Sequence, residues 1–246
     1  MSFENKVAIV TGAGSGIGKA CAIALAQNAA AVVVADLNIE SAQATAVQIN
    51  AAGGVAQAQP LDVAQRSSCA ALVTHTKNAY GRIDVLVNCA AISVRQTVLE
   101  MSDLDWHKVI GVNLHGTFYI TSAVAPVMIE QGGGSIILLA SDRALFGLAG
   151  GAHYSASKGA VIAYAKSLAL ELGANGITVN AINPGTTDTP MARGTLTDEE
   201  WQKRWSQDPL GRLSLPEDIA QTVLFLAGPA SRYMTGQLIS TRMRFG

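Results

Sequence analysis

The sequence predicts an α/β fold in which a doubly wound parallel sheet of about seven strands has helices on both faces. Three observations predict it: short apolar runs recur along the chain, longer helix-like segments separate them, and a glycine-rich turn follows the first run. Nearly continuous apolar character is what a strand covered on both faces requires. The 246 residues, 49% of them hydrophobic, can build one large core, so we predict a single domain over 1–246.

The predicted strands leave room for a helix between most neighbours. In chain order they are VAIV at Val7, AVVVA at Ala31, VAQAQ at Val55, IDVLVN at Ile83, SIILLA at Ser135, ITVNAI at Ile177 and QLIS at Gln237. The stretch from 184 to 215 has the weakest pattern and contains a short helical run with tryptophans. Such an insertion is often a mobile cover over a site, so we predict a substrate lid at about residues 186–212.

Charge and hydropathy argue against several classes of function. With 17 basic and 18 acidic residues the formal net charge is −1, and no basic run marks a surface for nucleic acid or membranes. Apolar runs fall far short of the roughly 20 residues that cross a bilayer. No secretory signal is visible, so we expect a soluble, cytoplasmic protein. Cys21, Cys69 and Cys89 are widely spaced, which predicts reduced thiols and no metal site.

The glycine-rich turn predicts a dinucleotide site of the Rossmann type. In TGAGSGIG, Gly12, Gly16 and Gly18 permit a tight turn that brings backbone N–H groups and a helix amino terminus close to a phosphate. Asp36 ends the second strand, where a carboxylate can bind both adenosine ribose hydroxyls and repel a 2′-phosphate. Because the loop, with Ser15, contains no lysine or arginine, we predict NAD as the cofactor instead of NADP.

A tyrosine and a lysine form a candidate acid–base pair. They lie in HYSASK, and the run AVIAYAKSLALEL that follows predicts a helix, on which Tyr154 and Lys158 share one face. An ammonium near a phenol favours the phenolate and lowers the tyrosine pKa from its reference of about 10. Tyr154 is therefore a candidate acid or base near neutral pH. Taken alone, the spacing also suits an ordinary amphipathic helix with a surface lysine.

Further motifs along nearly the whole chain decide between these alternatives. They are LDV at Leu61, NCAA at Asn88, VNLHGT around Asn113, GGGSIILLAS ending at Ser141, YSASK at Tyr154 and NAINPGTTDT from Asn180. With the glycine-rich turn, this set resembles the single-domain form of the short-chain dehydrogenase/reductase family. Several motifs in the same order are far more specific than any one of them.

The resemblance implies a catalytic tetrad that transfers hydride to or from nicotinamide. Tyr154 would exchange a proton with the substrate oxygen while hydride passes between the substrate carbon and C4 of nicotinamide. Lys158 would lower the tyrosine pKa and hold the nicotinamide ribose. Ser141 would donate a hydrogen bond to the substrate oxygen. Asn113 would hold a water that connects Lys158 to solvent.

The resemblance also implies a set of cofactor contacts by position. The set is Gly12, Ser15, Gly16, Ile17, Gly18, Asp36, Leu37, Asp62, Val63, Asn88, Ala90, Tyr154, Lys158, Pro184, Gly185, Thr187 and Thr189. Asp62 and Val63 would flank the adenine, and the Pro184–Thr189 segment would lie over the carboxamide and pyrophosphate. Structural roles are open for some of these residues, since Asn88 can equally brace the sheet and Thr189 can cap a turn.

Several positions depart from the family pattern. Cys89 and Ala91 stand where the family has asparagine and glycine, and alanine is tolerable there if its φ is negative. Thr187 stands where an aliphatic residue commonly covers the carboxamide, and its hydroxyl has no assigned use. The carboxyl-terminal TRMRFG, from Thr241, replaces a valine-aspartate-glycine-glycine turn that packs near a subunit interface in relatives. The assembly geometry is therefore open.

Substrate contacts are expected from the loop after Ser141, the segment after NCAA and the lid. The candidates are Arg143, Arg95 and Met191. Arg143 is close enough to Ser141 to orient a carboxylate or phosphate of the substrate. A surface or subunit-interface arginine is the simpler alternative.

The lid and the helices near the tetrad also bear on assembly. Trp201 and Trp205 share one face of the lid helix, where they would either cap an apolar pocket or pack in an interface. Relatives of this size are commonly tetramers built on the helices next to Asn113 and Tyr154. The small residues of SASKGAVIAYA allow close helix packing, so we predict a homo-oligomer, most simply a tetramer.

Three functions from different classes follow. The leading one is an NAD-dependent dehydrogenase/reductase acting on a small secondary alcohol or ketone, such as a sugar, polyol, hydroxy acid or cyclic alcohol. An NADPH-dependent 3-oxoacyl-thioester reductase is the alternative, and Asp36 argues against it. A nucleotide-binding regulator without catalysis is the third, and the intact tetrad argues against it. Neither nucleic acid nor membrane is an expected partner.

Overall fold

The computed structural model describes residues 2–241, apart from the side chain of Thr195, and contains the predicted sheet. Its strands are β1 (Val7–Thr11), β2 (Ala31–Asp36), β3 (Val55–Pro60), β4 (Val85–Asn88), β5 (Gly134–Leu139), β6 (Ile177–Asn183) and β7 (Leu238–Ser240). They pair in parallel in the order β3-β2-β1-β4-β5-β6-β7. The predicted doubly wound, seven-stranded parallel sheet is confirmed. The carboxyl-terminal departure beyond Thr241 lies outside the described residues.

The helices cover both faces of this sheet. They are α1 (Gly16–Gln27), α2 (Ile39–Ala51), α3 (Arg66–Tyr80), α4 (Asp103–Ile110), α5 (Gly116–Glu130), α6 (Arg143–Phe146), α7 (Ala152–Leu172), α8 (Pro190–Thr195), α9 (Asp198–Ser206) and α10 (Pro216–Ala227). No helix in the described part of the chain is long and apolar enough to cross a bilayer.

Two apolar cores explain why the central strands, such as β1 and β4, are almost continuously hydrophobic. In β1, Ala8 and Val10 pack in one core with α1, α2 and α10, whereas Ile9 packs in the other core with α3, α5 and α7. Successive side chains of a strand point to opposite faces, so a strand covered on both faces needs apolar residues at every position. The central strands of the sheet are therefore fixed in register from both sides.

The order of the strands reverses beside β1. Thr11, the last residue of β1, is in register with Ala35 of β2 on one side and with Asn88 of β4 on the other. In doubly wound sheets, ligands bind in the crevice beyond the carboxyl ends of the strands at this switch point. The glycine-rich turn, Asp36 and the segment after Asn88 all meet there.

The segment 186–212 forms two short helices, α8 and α9. Thr189 caps α8 by accepting a hydrogen bond from Ala192 N–H at 3.2 Å. This is the capping role that the sequence analysis considered as the structural alternative for Thr189. Thr197 and Glu200 form a capping box at the start of α9, the predicted tryptophan-bearing helix. At its base, Asp188 N–H donates to the Ser214 carbonyl at 2.8 Å, which brings the two ends of the segment together.

Candidate active site

The carboxyl ends of the strands open into one cavity of about 730 Å³. The glycine-rich turn, the ends of β2, β4, β5 and β6, the first turns of α7 and the 186–212 segment line it. Every predicted cofactor-binding residue except Asn88 lies in its wall, together with Ser141 and the candidate substrate residues Arg95, Arg143 and Met191. Asn113 and Asn88 lie behind the wall and act through their neighbours.

The glycine-rich turn is shaped by close backbone packing. Gly12 has a φ of +63°, and a Cβ there would lie 2.9 Å from backbone atoms of Ala90. A Cβ on Gly18 would lie 2.2 Å from the carbonyl oxygen of Gly12. The side chain of Ser15 does not cap α1, which begins at Gly16, so the first-turn N–H groups at the cavity can bind an anion.

Asp36 both faces the cavity and holds the turn. Its Oδ2 accepts a hydrogen bond from Gly14 N–H at 2.9 Å, and its Oδ1 accepts one from Asn38 N–H at 2.9 Å. A carboxylate has about four acceptor positions, so two are left for ribose hydroxyls. Its negative charge is thus fixed at the end of β2.

Asn88 is part of a buried relay of hydrogen bonds. Thr11 Oγ1 donates to Asn88 Oδ1 at 2.7 Å, and Asn88 Nδ2 donates to Thr117 Oγ1 at 2.9 Å. Ala90 N–H donates to Thr11 Oγ1 at 3.1 Å, and Thr117 Oγ1 donates to the carbonyl of Asn113 at 2.7 Å. The amide of Asn88 therefore braces β1, β4 and α5, which is the structural alternative considered from the sequence.

Asn113 lies in a π-helical turn, Gly111–His115, between α4 and α5. Such turns are rare and frequently occur at functional sites. Asn113 Nδ2 donates to the Ile92 carbonyl and to Ser157 Oγ, both at 3.0 Å, and Asn113 Oδ1 accepts from Ile92 N–H at 2.8 Å. Ser157 Oγ in turn donates to the carbonyl of Tyr154 at 2.7 Å. Asn113 thus ties the segment after β4 to the helix that carries the tyrosine; its expected water-holding role stays a prediction.

Tyr154 and Lys158 lie one turn apart on α7, as predicted, and both reach the cavity. Lys158 is buried, and its Nζ donates to the carbonyl of Leu139 at 2.6 Å. The same nitrogen lies 6.0 Å from the centre of the Tyr154 ring. Burial disfavours the ammonium and lowers the pKa of Lys158 to about 8.

The lowering of the Tyr154 pKa by Lys158, which the resemblance implies together with the positive charge of oxidised nicotinamide, stays a prediction. Burial raises the pKa of Tyr154, and a hydrogen bond with Ser141 opposes that rise. The physical reason is that the phenol loses water while the ammonium of Lys158 is directed at the Leu139 carbonyl. Within the chain alone, the tyrosine is therefore held in its protonated, proton-donating form.

Arg143 lines the cavity with its charge already balanced. Its Nε lies 3.4 Å from Asp142 Oδ1, and both side chains are about a tenth exposed, at 11% and 10%. Its backbone N–H donates to Ser141 Oγ at 3.2 Å. Arg143 therefore shapes the loop that presents Ser141, in addition to forming part of the wall.

The departures from the family pattern are accommodated locally. Among the described residues other than glycine, only Asn5 and Ala29 have positive φ, so Ala91 meets the condition set for it. The Cys89 thiol contacts that of Cys21, and together with burial this raises the pKa of Cys21. The additional hydroxyl of Thr187 donates to the carbonyl of Gly185 at 3.2 Å.

The two tryptophans of α9 pack within the 186–212 segment and do not line the cavity. The guanidinium of Arg193 lies 4.7 Å from the Trp201 ring centre, and Trp205 Nε1 donates to the Gly211 carbonyl at 3.2 Å. The residue of α9 that does line the cavity is Arg204, which sequence analysis missed. The signal in the sequence is that Arg204 lies one turn after Trp201 and therefore on the same face of the predicted lid helix.

Comparison with known proteins places this site in a family. A family model described as Enoyl-(Acyl carrier protein) reductase matches residues 12–241. The 3-oxoacyl-(acyl-carrier-protein) reductase FabG of Thermotoga maritima is 40% identical over 239 residues, which are 97% of either chain. The chain belongs to the short-chain dehydrogenase/reductase family.

Other short-chain dehydrogenases/reductases match over similar lengths. Cyclohexanol dehydrogenase of Acinetobacter sp. is 38% identical over 236 residues, covering 95% of this chain and 92% of that protein. The solved structure of a short-chain type dehydrogenase/reductase from Mycobacterium ulcerans has a TM-score of 0.93 at 29% identity, covering 98% of this chain and 89% of that one. The protein is thus an oxidoreductase of a family that uses a nicotinamide cofactor and small-molecule substrates.

Proposed function

We propose that this protein is an NAD-dependent dehydrogenase/reductase that interconverts a small secondary alcohol and its ketone. The observation that carries the proposal is that Ser141, Tyr154 and Lys158 line one end of a single cavity whose wall also contains the glycine-rich turn and Asp36. A dinucleotide with its phosphates bound at the turn and a substrate beside Tyr154 would both lie in this cavity.

In the proposed oxidation, the substrate alcohol would lose a hydride to the cofactor and a proton to Tyr154. Nicotinamide, when bound, accepts the hydride from the substrate carbon. Tyr154 would accept the hydroxyl proton, and Ser141 would donate a hydrogen bond to the substrate oxygen as it becomes a carbonyl. Because burial raises the pKa of Tyr154, oxidation would depend on the positive charges of Lys158 and the oxidised cofactor to favour the phenolate. In reduction the protonated tyrosine would donate.

Asp36 supports NAD over NADP. Its carboxylate is held at the end of β2 by two backbone N–H groups, where it would repel a 2′-phosphate. The cations in the cavity wall, namely Arg95, Arg143, Lys158 and Arg204, all belong to other parts of the chain.

A second candidate is an NADPH-dependent 3-oxoacyl-thioester reductase. The 40% identity to the 3-oxoacyl-(acyl-carrier-protein) reductase of Thermotoga maritima favours it. Asp36 opposes it, because the phosphorylated cofactor would need a cation there.

The proposal extends to the substrate lid at residues 186–212 and to the assembly of the subunits. The 186–212 segment would cover the substrate, since Met191, Leu196 and Arg204 line the cavity. The protein would be a cytoplasmic homotetramer, in which contacts between subunits would cover exposed apolar side chains such as Phe118 on α5 and Leu170 on α7. Light scattering would measure its mass, and cell fractionation its location.

The test is to follow reduced-nicotinamide absorbance with purified protein, NAD or NADP, and a panel of sugars, polyols, hydroxy acids and cyclohexanol. We expect NAD-dependent oxidation and a loss of at least about 100-fold in kcat in Tyr154→Phe, since the proton acceptor is removed. Tyr164→Phe on the same helix is the control; its hydroxyl lies 2.8 Å from Thr121 Oγ1 and outside the cavity wall. Turnover of 3-oxoacyl thioesters with NADPH alone would favour the second candidate. NAD binding without any turnover would instead indicate a regulator.

A further inference from the structure

Two of the arginines in the cavity wall are neutralised by carboxylates. Arg95 Nη1 and Nη2 each donate to an oxygen of Glu200 at 2.8 Å. Arg143 pairs with Asp142 at 3.4 Å between nitrogen and oxygen. Neither guanidinium therefore brings an unbalanced positive charge to a substrate.

Arg204 differs from both. Its Nη1 donates at 2.9 Å to Thr186 Oγ1, a neutral acceptor. It forms none of the salt bridges present within residues 2–241, and it is half-buried in the cavity wall. A guanidinium has five N–H donors, so most of those of Arg204 are available.

The Thr186 contact holds Arg204 against the chain that follows β6. Asp142 N–H, next to Ser141, donates to the Pro184 carbonyl at 3.1 Å, which joins the chain after β5 to the chain after β6. Thr186 follows two residues after Pro184 and is itself buried. Arg204 is thus held beside the strand end adjoining the one that presents Ser141.

The half-buried guanidinium of Arg204 has lost part of its hydration, and its hydrogen-bond partner Thr186 is neutral, so that partner does not balance its positive charge. The planar fork of arginine matches a carboxylate at two points, which a single hydroxyl such as that of Thr186 cannot do, and a carboxylate also balances the charge. Lys203, the neighbouring cation, is exposed and lies outside the cavity wall, so it does not compete for the same anion.

We propose that Arg204 binds a carboxylate of the substrate, and that the substrate is therefore a secondary alcohol or ketone carrying an acidic group. This inference rests on the proposed function and transfers to Arg204 the role that the sequence predicted for Arg143. The substrate end of the cavity selects acids through a residue of α9, while Ser141 and Tyr154 act on the alcohol or carbonyl.

The test compares matched acids and esters in wild type, Arg204→Met and the control Lys203→Met. The probes are 3-hydroxybutanoate and trans-4-hydroxycyclohexanecarboxylate, each beside its methyl ester, with NAD. For at least one pair we expect wild type and Lys203→Met to prefer the acid in kcat/KM. Arg204→Met should lose about tenfold or more on that acid with little change on its ester.

A binding measurement separates this inference from the proposed function. Calorimetric titration of the acids and esters into the NADH-loaded protein gives the same comparison without turnover, because the reduced cofactor cannot accept a hydride from an alcohol. Tighter acid binding that Arg204→Met abolishes supports the inference even if no probe is oxidised. Acids that bind wild type no better than their esters, or equally well to Arg204→Met, would overturn it whether or not turnover is seen. Unfolding temperatures of the variants would exclude a general loss of structure.

Discussion

The glycine-turn side of the cavity and the 186–212 segment are held in place by different forces. On the glycine-turn side, residues 11–18 pack backbone to backbone against residues 88–91, and a buried relay from Thr11 through Asn88 to Thr117 crosses the sheet. In the 186–212 segment, one exposed ion pair joins Glu200 to Arg95 outside the segment and another joins Arg193 to Asp188 within it; these side chains are 29–60% exposed.

This difference indicates which side can move. Buried hydrogen bonds have no solvent substitute, and leaving one unmade costs about 1–3 kcal/mol. Exposed ion pairs contribute about 0–1 kcal/mol, since water and salt replace them readily. We therefore expect the glycine-turn side to be preformed and the 186–212 segment to open at small cost.

The largest effect on binding and stability is expected for Gly18→Ala, on the glycine-turn side. Its Cβ would lie 2.2 Å from the Gly12 carbonyl oxygen, and because that neighbour is backbone, the turn itself must shift. We expect dinucleotide binding to weaken by at least about 100-fold and stability to fall by about 2 kcal/mol or more. Calorimetry and chemical unfolding would measure both. Gly173→Ala is the control, since its Cβ meets nothing within 4 Å and its backbone is helical; equal effects of the two substitutions would refute the steric argument.

Lys158 should make the free energy of unfolding depend on pH, and the expected effect is of intermediate size. Its folded pKa of about 8 is below the unfolded value, so the buried ammonium costs stability below pH 8, and the cost disappears as pH rises toward about 10.5. Between pH 8 and pH 10, we expect wild type to gain about 1–2 kcal/mol relative to Lys158→Met.

Denaturant unfolding at a series of pH values would measure that gain. Lys166→Met removes an exposed lysine from the same helix and serves as the control for the loss of a lysine outside the buried site. A wild-type curve parallel to that of Lys158→Met would show that burial does not perturb this lysine.

The smallest effect is expected on the segment side. Arg95 holds the pKa of Glu200 at about 2 through their hydrogen bonds, but the pair is exposed, so its loss in Arg95→Ala should change global stability by less than about 1 kcal/mol. Trypsin should nevertheless cleave the 186–212 segment several times faster, because local opening becomes easier. Mass spectrometry of the fragments would locate the cuts.

Lys77→Ala is the matched control, since it breaks an exposed pair with Glu130 away from the segment. Cleavage of the segment should be unchanged there. An Arg95→Ala variant that loses as much stability as Gly18→Ala would show that the segment is part of the core.

The same contrast explains what the sequence could predict. The strands, the glycine-rich turn and Asp36 are specified by local pattern, because apolar runs and glycine spacing act within a few residues. The pairing of Arg143 with Asp142 and the direction of the Tyr154 pKa depend on burial and side-chain direction, which spacing does not contain. Helical spacing places Arg204 on one face of α9, but that it lines the cavity depends on how α9 packs, which spacing does not contain.

The bridge between Asp188 and Ser214 has a consequence for how substrate range can change. It closes the 186–212 segment at its base, so the rest of the fold does not depend on the length of chain between these points. Loop-closure cost grows slowly, by about 0.6 kcal/mol for each doubling of length. We therefore expect the segment to tolerate changes in length and sequence, so that different pockets can form over an unchanged glycine-turn side.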